Sequence, residues 1–98
     1  MDKYNDDILM ASELADLFRY FADTTRIRIL LLLCEGEMRV CDMAERLEMS
    51  QSAVSHQLNQ LRKSRLVRTR REGKSVFYAL GDDHVRQLLS CGKEHISE

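Results

Sequence analysis

The stretch from residue 40 to residue 64 constrains the fold most. Val40, Met43, Ala44 and Leu47 recur at three- and four-residue spacing, which predicts a short helix over 40–47 with one apolar face. Glu48-Met49-Ser50 follows as a tight turn. Ser50 is a good N-cap for a further helix over about 51–64, where Val54, Leu58 and Leu61 hold the i, i+4, i+7 positions. Two short helices across so brief a turn predict a helix-turn-helix. The outer face of the second helix presents Ser52, His56, Asn59 and Lys63, with Gln51 and Ser55 near its N-terminal end. Hydroxyls and amides donate to and accept from base edges, and the lysine suits a phosphate. A helix with a purely structural role more often carries Glu/Lys pairs on that face. No Asp, Glu, Lys or Arg occurs from 49 to 61, which favours a contact surface.

Residues 66–71 and 75–80 alternate or concentrate strand formers, joined by Glu72-Gly73-Lys74. This predicts a β-hairpin with a glycine turn. Its surroundings are basic: Arg62, Lys63, Arg65, Arg68, Arg70, Arg71 and Lys74 face only Glu72 across residues 62–74. The bland reading of such a run is a solvated loop. Following a helix-turn-helix, it reads instead as a wing, with the second helix in the major groove and the hairpin at the backbone or minor groove. The net charge of −1 conceals this asymmetry, because residues 1–23 carry six acids against Lys3 and Arg19.

Two amphipathic helices precede these elements. Leu14, Leu17, Phe18 and Phe21 define a helix over about 8–22, and Asp23 caps another over about 24–34. In the second, Ile27, Leu30, Leu31 and Cys34 form one face, Ile29, Leu32 and Leu33 widen it, and Gly36 ends it. The apolar and aromatic positions of both helices are read as core. The 98 residues suit one winged-helix domain over 1–98, small enough that oligomerisation is a common remedy for a limited core. The apolar run at 29–33 is too short to span a bilayer, and the acidic N-terminal segment lacks a signal-peptide apolar region. Three cysteines make no disulfide framework. The expected location is the cytoplasm, with no membrane partner.

The C-terminal stretch over 82–98 holds His84 and His95, 11 positions apart. On a helix they return to within roughly 20° of one another but lie about 16 Å apart along the axis. That is far beyond the ~2 Å reach of a metal–nitrogen bond, so one chain cannot close a site on both. Two antiparallel copies can, His84 of one helix meeting His95 of the other. Asp82 and Glu98 lie at the outer ends, and the stretch reads either as a dimer seam with two metal sites or as a polar tail. Asp82 and His84 do not share a helix face, so Asp82 belongs at or before the helix start, where it also suits an N-cap and where Asp83 could replace it as a ligand. Cys91 falls near the expected two-fold axis, two copies being offset by about 4.5 Å, so a disulfide between subunits is one reading and a small packing residue the other.

Taken together, residues 21–30 (FADTTRIRIL), 40–44 (VCDMA), 50–58 (SQSAVSHQL) and 70–74 (RREGK) before Phe77-Tyr78 resemble the ArsR/SmtB family of small dimeric metal-sensing repressors. The resemblance covers nearly the whole chain. Thr24 stands where the family usually has proline, a harmless change in a first helical turn. The resemblance implies a mainly α winged helix-turn-helix with a β-hairpin, dimerising through its N- and C-terminal helices. One family site uses Cys-x-Cys in the first helix of the helix-turn-helix. Here Arg39 replaces the first cysteine, which argues against an arsenic-, lead- or cadmium-type thiolate site and leaves Cys41 as an expected small buried residue. The other family site has the pattern Asp-x-His, ten residues, His-x-x-Glu or His, and Asp82, His84, His95 and Glu98 match it. By resemblance, Asp82 and His84 come from one subunit and His95 and Glu98 from the other. Two imidazoles and two carboxylates suit tetrahedral Zn²⁺, with Co²⁺ as a mimic. The family also implies a hydrogen bond from the free His95 nitrogen to a backbone carbonyl near Arg65.

The function expected is therefore a zinc-responsive repressor. Its apo dimer would bind operator DNA through Gln51, Ser52, Ser55, His56, Asn59, Lys63, Arg70, Arg71 and Lys74, and zinc would lower that affinity. The alternative is a repressor of the same fold that is redox-controlled through Cys91 or lacks a metal response. A zinc hydrolase needs an open metal position and a general base, and four protein ligands without a further catalytic cluster count against an enzyme.

Overall fold

A computed structural model describes residues 3–98. The elements run α1 (Lys3–Phe21), α2 (Thr24–Leu33), α3 (Val40–Leu47), α4 (Gln51–Lys63), β1 (Val67–Glu72), β2 (Ser75–Leu80) and α5 (Asp83–Ser97). Local chemistry sets most of the boundaries. The Asp23 carboxylate accepts from the Arg26 amide at 3.0 Å, and the Ser50 hydroxyl accepts from the Ala53 amide at 3.1 Å. Each cap of this kind is worth about 1 kcal/mol. Between α3 and α4, Glu48 takes the left-handed conformation (φ 56°), so the chain turns at once and the two helices cross as a helix-turn-helix.

After α4 the chain reverses through Arg65, also left-handed at φ 63°, and the Leu66 amide donates back to the Leu61 carbonyl at 2.9 Å. That bond holds Leu66 at the helix end, so β1 starts one residue later than the sequence pattern suggests. The strands pair antiparallel from Val67↔Leu80 to Glu72↔Ser75. Gly73 and Lys74 alone connect them, and Gly73 at φ 61° supplies the positive φ that a two-residue hairpin turn needs at its first position. The hairpin gains a further pairing: Met38, in the loop between α2 and α3, exchanges both backbone hydrogen bonds with Tyr78 at 3.0 and 2.8 Å. These elements form a winged helix-turn-helix, as expected.

The core joins Ile29, Leu30 and Leu33 of α2 to Met43, Ala44 and Leu47 of α3 and Val54, Leu58 and Leu61 of α4. Leu66, Val67, Leu80, Val85 and Leu89 close it from the wing and α5. Within α2 the buried face is turned from the expected one, Ile27, Leu31 and Cys34 being half-buried. The larger correction concerns α1, which contributes no buried residue. Leu17 and Phe21 are half-buried against the core, but Leu14 and Phe18 are 46% and 52% exposed. The helix touches α2, and Leu9, Met10, Leu14 and Phe18 along it stay exposed in the single chain. Cys41 is likewise exposed rather than buried, because Val40, Met43, Ala44 and Leu47 take the inner face of α3 and leave position 41 outside. Among the described residues, no helix is long and apolar enough to cross a membrane.

Candidate nucleic-acid interface and metal-ligand helix

The exposed face of α4 carries the expected contact residues together. Gln51, Ser52, His56, Asn59 and Lys63 are exposed, and Ser55 is half-buried beside them. The helix is held from behind by its three buried apolar residues and by Arg26, whose Nε donates to Gln57 Oε1 at 3.0 Å. The same guanidinium lies 5.8 Å from the centre of the Tyr20 ring. Arg26 of α2 thereby touches both α1 and the back of the recognition helix. The patch is small, neutral and rich in hydrogen-bonding groups, with Arg62 and Lys63 in its last turn. That combination suits base edges at the helix start and phosphates at its end.

In the wing, Arg71 and Lys74 are exposed at the hairpin end. Arg70 is differently placed. Its Nη2 and Nε donate to Glu37 at 2.9 and 3.1 Å, its Nη1 donates to Glu72 at 2.7 Å, and the guanidinium lies 4.8 Å from the centre of the Phe77 ring. Hydrogen bonds to Glu37 and Glu72 push the Arg70 guanidinium further up, and the hydrogen bond from Arg70 holds the Glu37 carboxyl below its usual range. Glu37 was invisible as a functional residue in the sequence. It lies 33 positions from Arg70, and no local pattern connects them.

Beyond β2, Asp82 is the N-cap of α5. Its Oδ1 accepts from the amides of His84 and Val85 at 2.9 and 3.3 Å and stands 3.5 Å from His84 Nδ1. The cap and the proposed ligand are thus the same residue, and Asp82 rather than Asp83 faces the His84 ring. His95 and Glu98 are exposed at the far end of the helix. This chain brings Asp82 to His84 but not to His95 or Glu98. Among the described residues, no group of three or more His, Cys, Asp or Glu converges on one point. The donors nevertheless fit zinc in kind: a nitrogen and an oxygen already paired, solvent-accessible, on a fixed helix start.

The space beside His84 is apolar. Leu14, Leu17, Phe18, Leu88 and Cys91 line a groove with it, between α1 and α5. Phe18, Leu88, Gly92 and Ile96 continue into a second groove. Phe18 and Leu88 line both grooves and are exposed, as are Leu14 and Ile96 beside them, so an open apolar face lies between the terminal helices. Cys91 is a free, exposed thiol on that face. Just ahead of α5, Gly81 packs directly on the end of the recognition helix: a Cβ there would stand 2.1 Å from the Arg65 carbonyl oxygen.

A recognition helix with a neutral polar face, a paired basic wing and a buried helix-turn-helix core define a winged-helix DNA-binding regulator. The family model for bacterial regulatory proteins of the arsR family matches residues 23–69. A transcriptional repressor SmtB homolog of Synechocystis is 43% identical over 88 residues, which cover 90% of this chain and 67% of that protein. Among solved structures, HlyU from Vibrio cholerae superposes with a TM-score of 0.81 at 32% identity, covering 100% of both chains. A homodimeric winged helix-turn-helix domain from Mycobacterium bovis, described as a possible ArsR-family regulator, gives 0.87 at 26% identity over 100% of this chain and 89% of its own. The chain belongs to the ArsR family of DNA-binding transcriptional regulators.

Proposed function

We propose that this regulator is a cytoplasmic homodimeric repressor, one winged-helix domain per chain, that senses zinc. The observation that carries the reading is the shared location of His84 and the open apolar face between α1 and α5. A second copy covering that face buries Leu14, Phe18 and Leu88, and a two-fold axis between antiparallel α5 helices sets His84 and Asp82 of one copy against His95 and Glu98 of the other. The homodimeric state of the Mycobacterium bovis domain and the repressor name of the Synechocystis relative agree with it. In the apo dimer, Gln51, Ser52, Ser55 and His56 meet base edges, and Asn59, Lys63, Arg71 and Lys74 meet the backbone. A bound Zn²⁺ supplies a further link between the subunits and is mimicked by Co²⁺. Asp82 and His84 sit directly after Gly81, which touches the recognition helix end at Arg65, so restraint of the α5 start is felt where α4 meets the wing. The free His95 nitrogen would reach a carbonyl in the same region. DNA must weaken zinc binding by the factor by which zinc weakens DNA binding.

The test is fluorescence anisotropy on a duplex selected from a random pool by the apo protein, with and without Zn²⁺, Co²⁺, Ni²⁺ and Cd²⁺. Zinc should release the duplex, and His84→Ala and His95→Asn should each suppress release. If both variants still release DNA on zinc addition, the reading fails.

A second reading is redox control, favoured by the exposure of Cys91 on the same face. Non-reducing electrophoresis of oxidised protein would then show a dimer band that Cys91→Ser abolishes. Absence of that band ends the redox reading.

A further inference from the structure

Arg70 belongs to the basic run that marks the wing, and by sequence it stands among the DNA contacts. Its geometry says otherwise. A guanidinium carries five N–H donors in a fixed, planar fork. The Nε–Nη2 edge lies across the Glu37 carboxylate, with contacts of 3.3 and 3.1 Å from Nε and 2.9 Å from Nη2. Nη1 reaches Glu72 at 2.7 Å. One face is covered by Phe77, the cross-strand neighbour of Arg70, at 4.8 Å. Two carboxylates already engage all three of its nitrogens, so a phosphate would meet a cation whose charge is largely compensated.

The position of Glu37 gives the arrangement its sense. The next residue, Met38, is the one that pairs its backbone with Tyr78 of β2. Arg70 of β1 therefore clamps, by side chain, the same loop that β2 holds by backbone. The two attachments sit on neighbouring residues and tie both strands of the hairpin to the segment between α2 and α3. A two-stranded hairpin is marginal by itself. This one is moored to the body of the protein on the side of α3, the first helix of the helix-turn-helix.

We propose that Arg70 is the brace of the wing, held by Glu37, Glu72 and Phe77, and is not one of its phosphate ligands. It is a positioning residue: it sets the pitch of the hairpin so that Arg71 and Lys74 meet the DNA backbone. This rests on the reading that the wing contacts DNA, and the experiment separates the two.

Two measurements are needed. The first follows the salt dependence of binding to the selected duplex for the wild type, Arg70→Gln, Arg70→Lys and Arg71→Gln. Losing a phosphate contact lowers the slope of log K against log salt by about 1. Arg71→Gln should show that loss. Arg70→Gln should weaken binding with the slope unchanged, and Arg70→Lys should be as weak as Arg70→Gln, because lysine keeps the charge but cannot span Glu37 and Glu72 together. The second measurement is amide hydrogen exchange in the free protein. Arg70→Lys and Glu37→Gln should each speed exchange at Met38 and Tyr78, a change that loss of a phosphate contact would not produce. The proposal is overturned if Arg70→Lys binds like the wild type while Arg70→Gln loses a slope of about 1, or if exchange at Met38 and Tyr78 is unchanged in both variants. Flat slopes for both Arg71→Gln and Arg70→Gln would instead refute the wing's contact with phosphate, and the exchange rates would still decide the brace.

Discussion

Gly81 and Arg65 meet backbone to backbone: a Cβ at position 81 would lie 2.1 Å from the Arg65 carbonyl oxygen and 3.1 Å from its carbonyl carbon. The Gly81 amide also donates to the Leu66 carbonyl at 2.9 Å. Glycine is required here by close approach. The entry to α5 is thereby pressed onto the exit of the recognition helix, where Arg65 already holds a left-handed conformation. Gly81→Ala must push these segments apart. It should lower stability by about 1–3 kcal/mol, the usual cost of forcing atoms into a packed site. Chemical denaturation checks the stability. Anisotropy on the selected duplex should show weaker DNA binding by the same variant even without metal.

Asp82 has two roles that substitution can separate. As N-cap it accepts two amides through Oδ1, and as a proposed ligand it stands beside His84 Nδ1. Asp82→Ala should lose about 0.5–2 kcal/mol of stability together with zinc affinity. Asp82→Asn keeps a capping oxygen but no charge, so it should retain near wild-type stability and still bind zinc more weakly. Thermal melts of the apo proteins and a competitive zinc titration measure the two effects. An Asp82→Asn variant with unimpaired zinc affinity would assign the carboxylate to capping alone.

The helix-turn-helix and hairpin were legible because their signals are local. Cap residues, turn residues and apolar spacing lie within a few positions of one another, and Asp23, Ser50 and Asp82, each read as an N-cap, act as such. Asp82, His84, His95 and Glu98 form a sequence pattern whose proposed role as ligands awaits the zinc titration, and the separation of His84 from His95 within one chain follows from helical rise alone. What escaped was long-range. The Arg70–Glu37 clamp and the Met38↔Tyr78 bridge join segments far apart in sequence, and neither residue type announces its partner. The phase of α1 misled for a related reason. Apolar periodicity reports a face that avoids water, and it does not say whether this chain or another covers that face.

That face gives a prediction of its own. Phe18 and Leu88 lie at the centre of the apolar surface, 52% and 38% exposed in the single chain. Phe18→Glu combined with Leu88→Glu should leave the core intact, since neither residue is buried, and should place like charges opposite one another in any two-fold pair. Sedimentation equilibrium should report a monomer, circular dichroism an unchanged helix content, and anisotropy a large loss of DNA affinity because two recognition helices no longer bind as a unit. A double variant that remains dimeric would move the seam elsewhere.

The Glu37–Arg70 pair also predicts a pH dependence. The hydrogen bond from Arg70 holds the Glu37 carboxyl below its ordinary value of 4.5. A carboxylate whose folded pKa is depressed contributes stability above its unfolded pKa and loses it as pH falls through the folded value. The contribution is therefore complete above about pH 4.5 and fades below it. Because both side chains are partly exposed, at 38% and 44%, solvent screens the pair and the effect is small. It is local as well, so it should appear first as a loss of protection at the Met38 and Tyr78 amides in acid, relative to their intrinsic exchange rate at the same pH, before global unfolding. Glu37→Gln should already exchange faster at neutral pH and show less added change on acidification. Equal acid sensitivity in the wild type and Glu37→Gln would show that other carboxylates govern the wing's attachment.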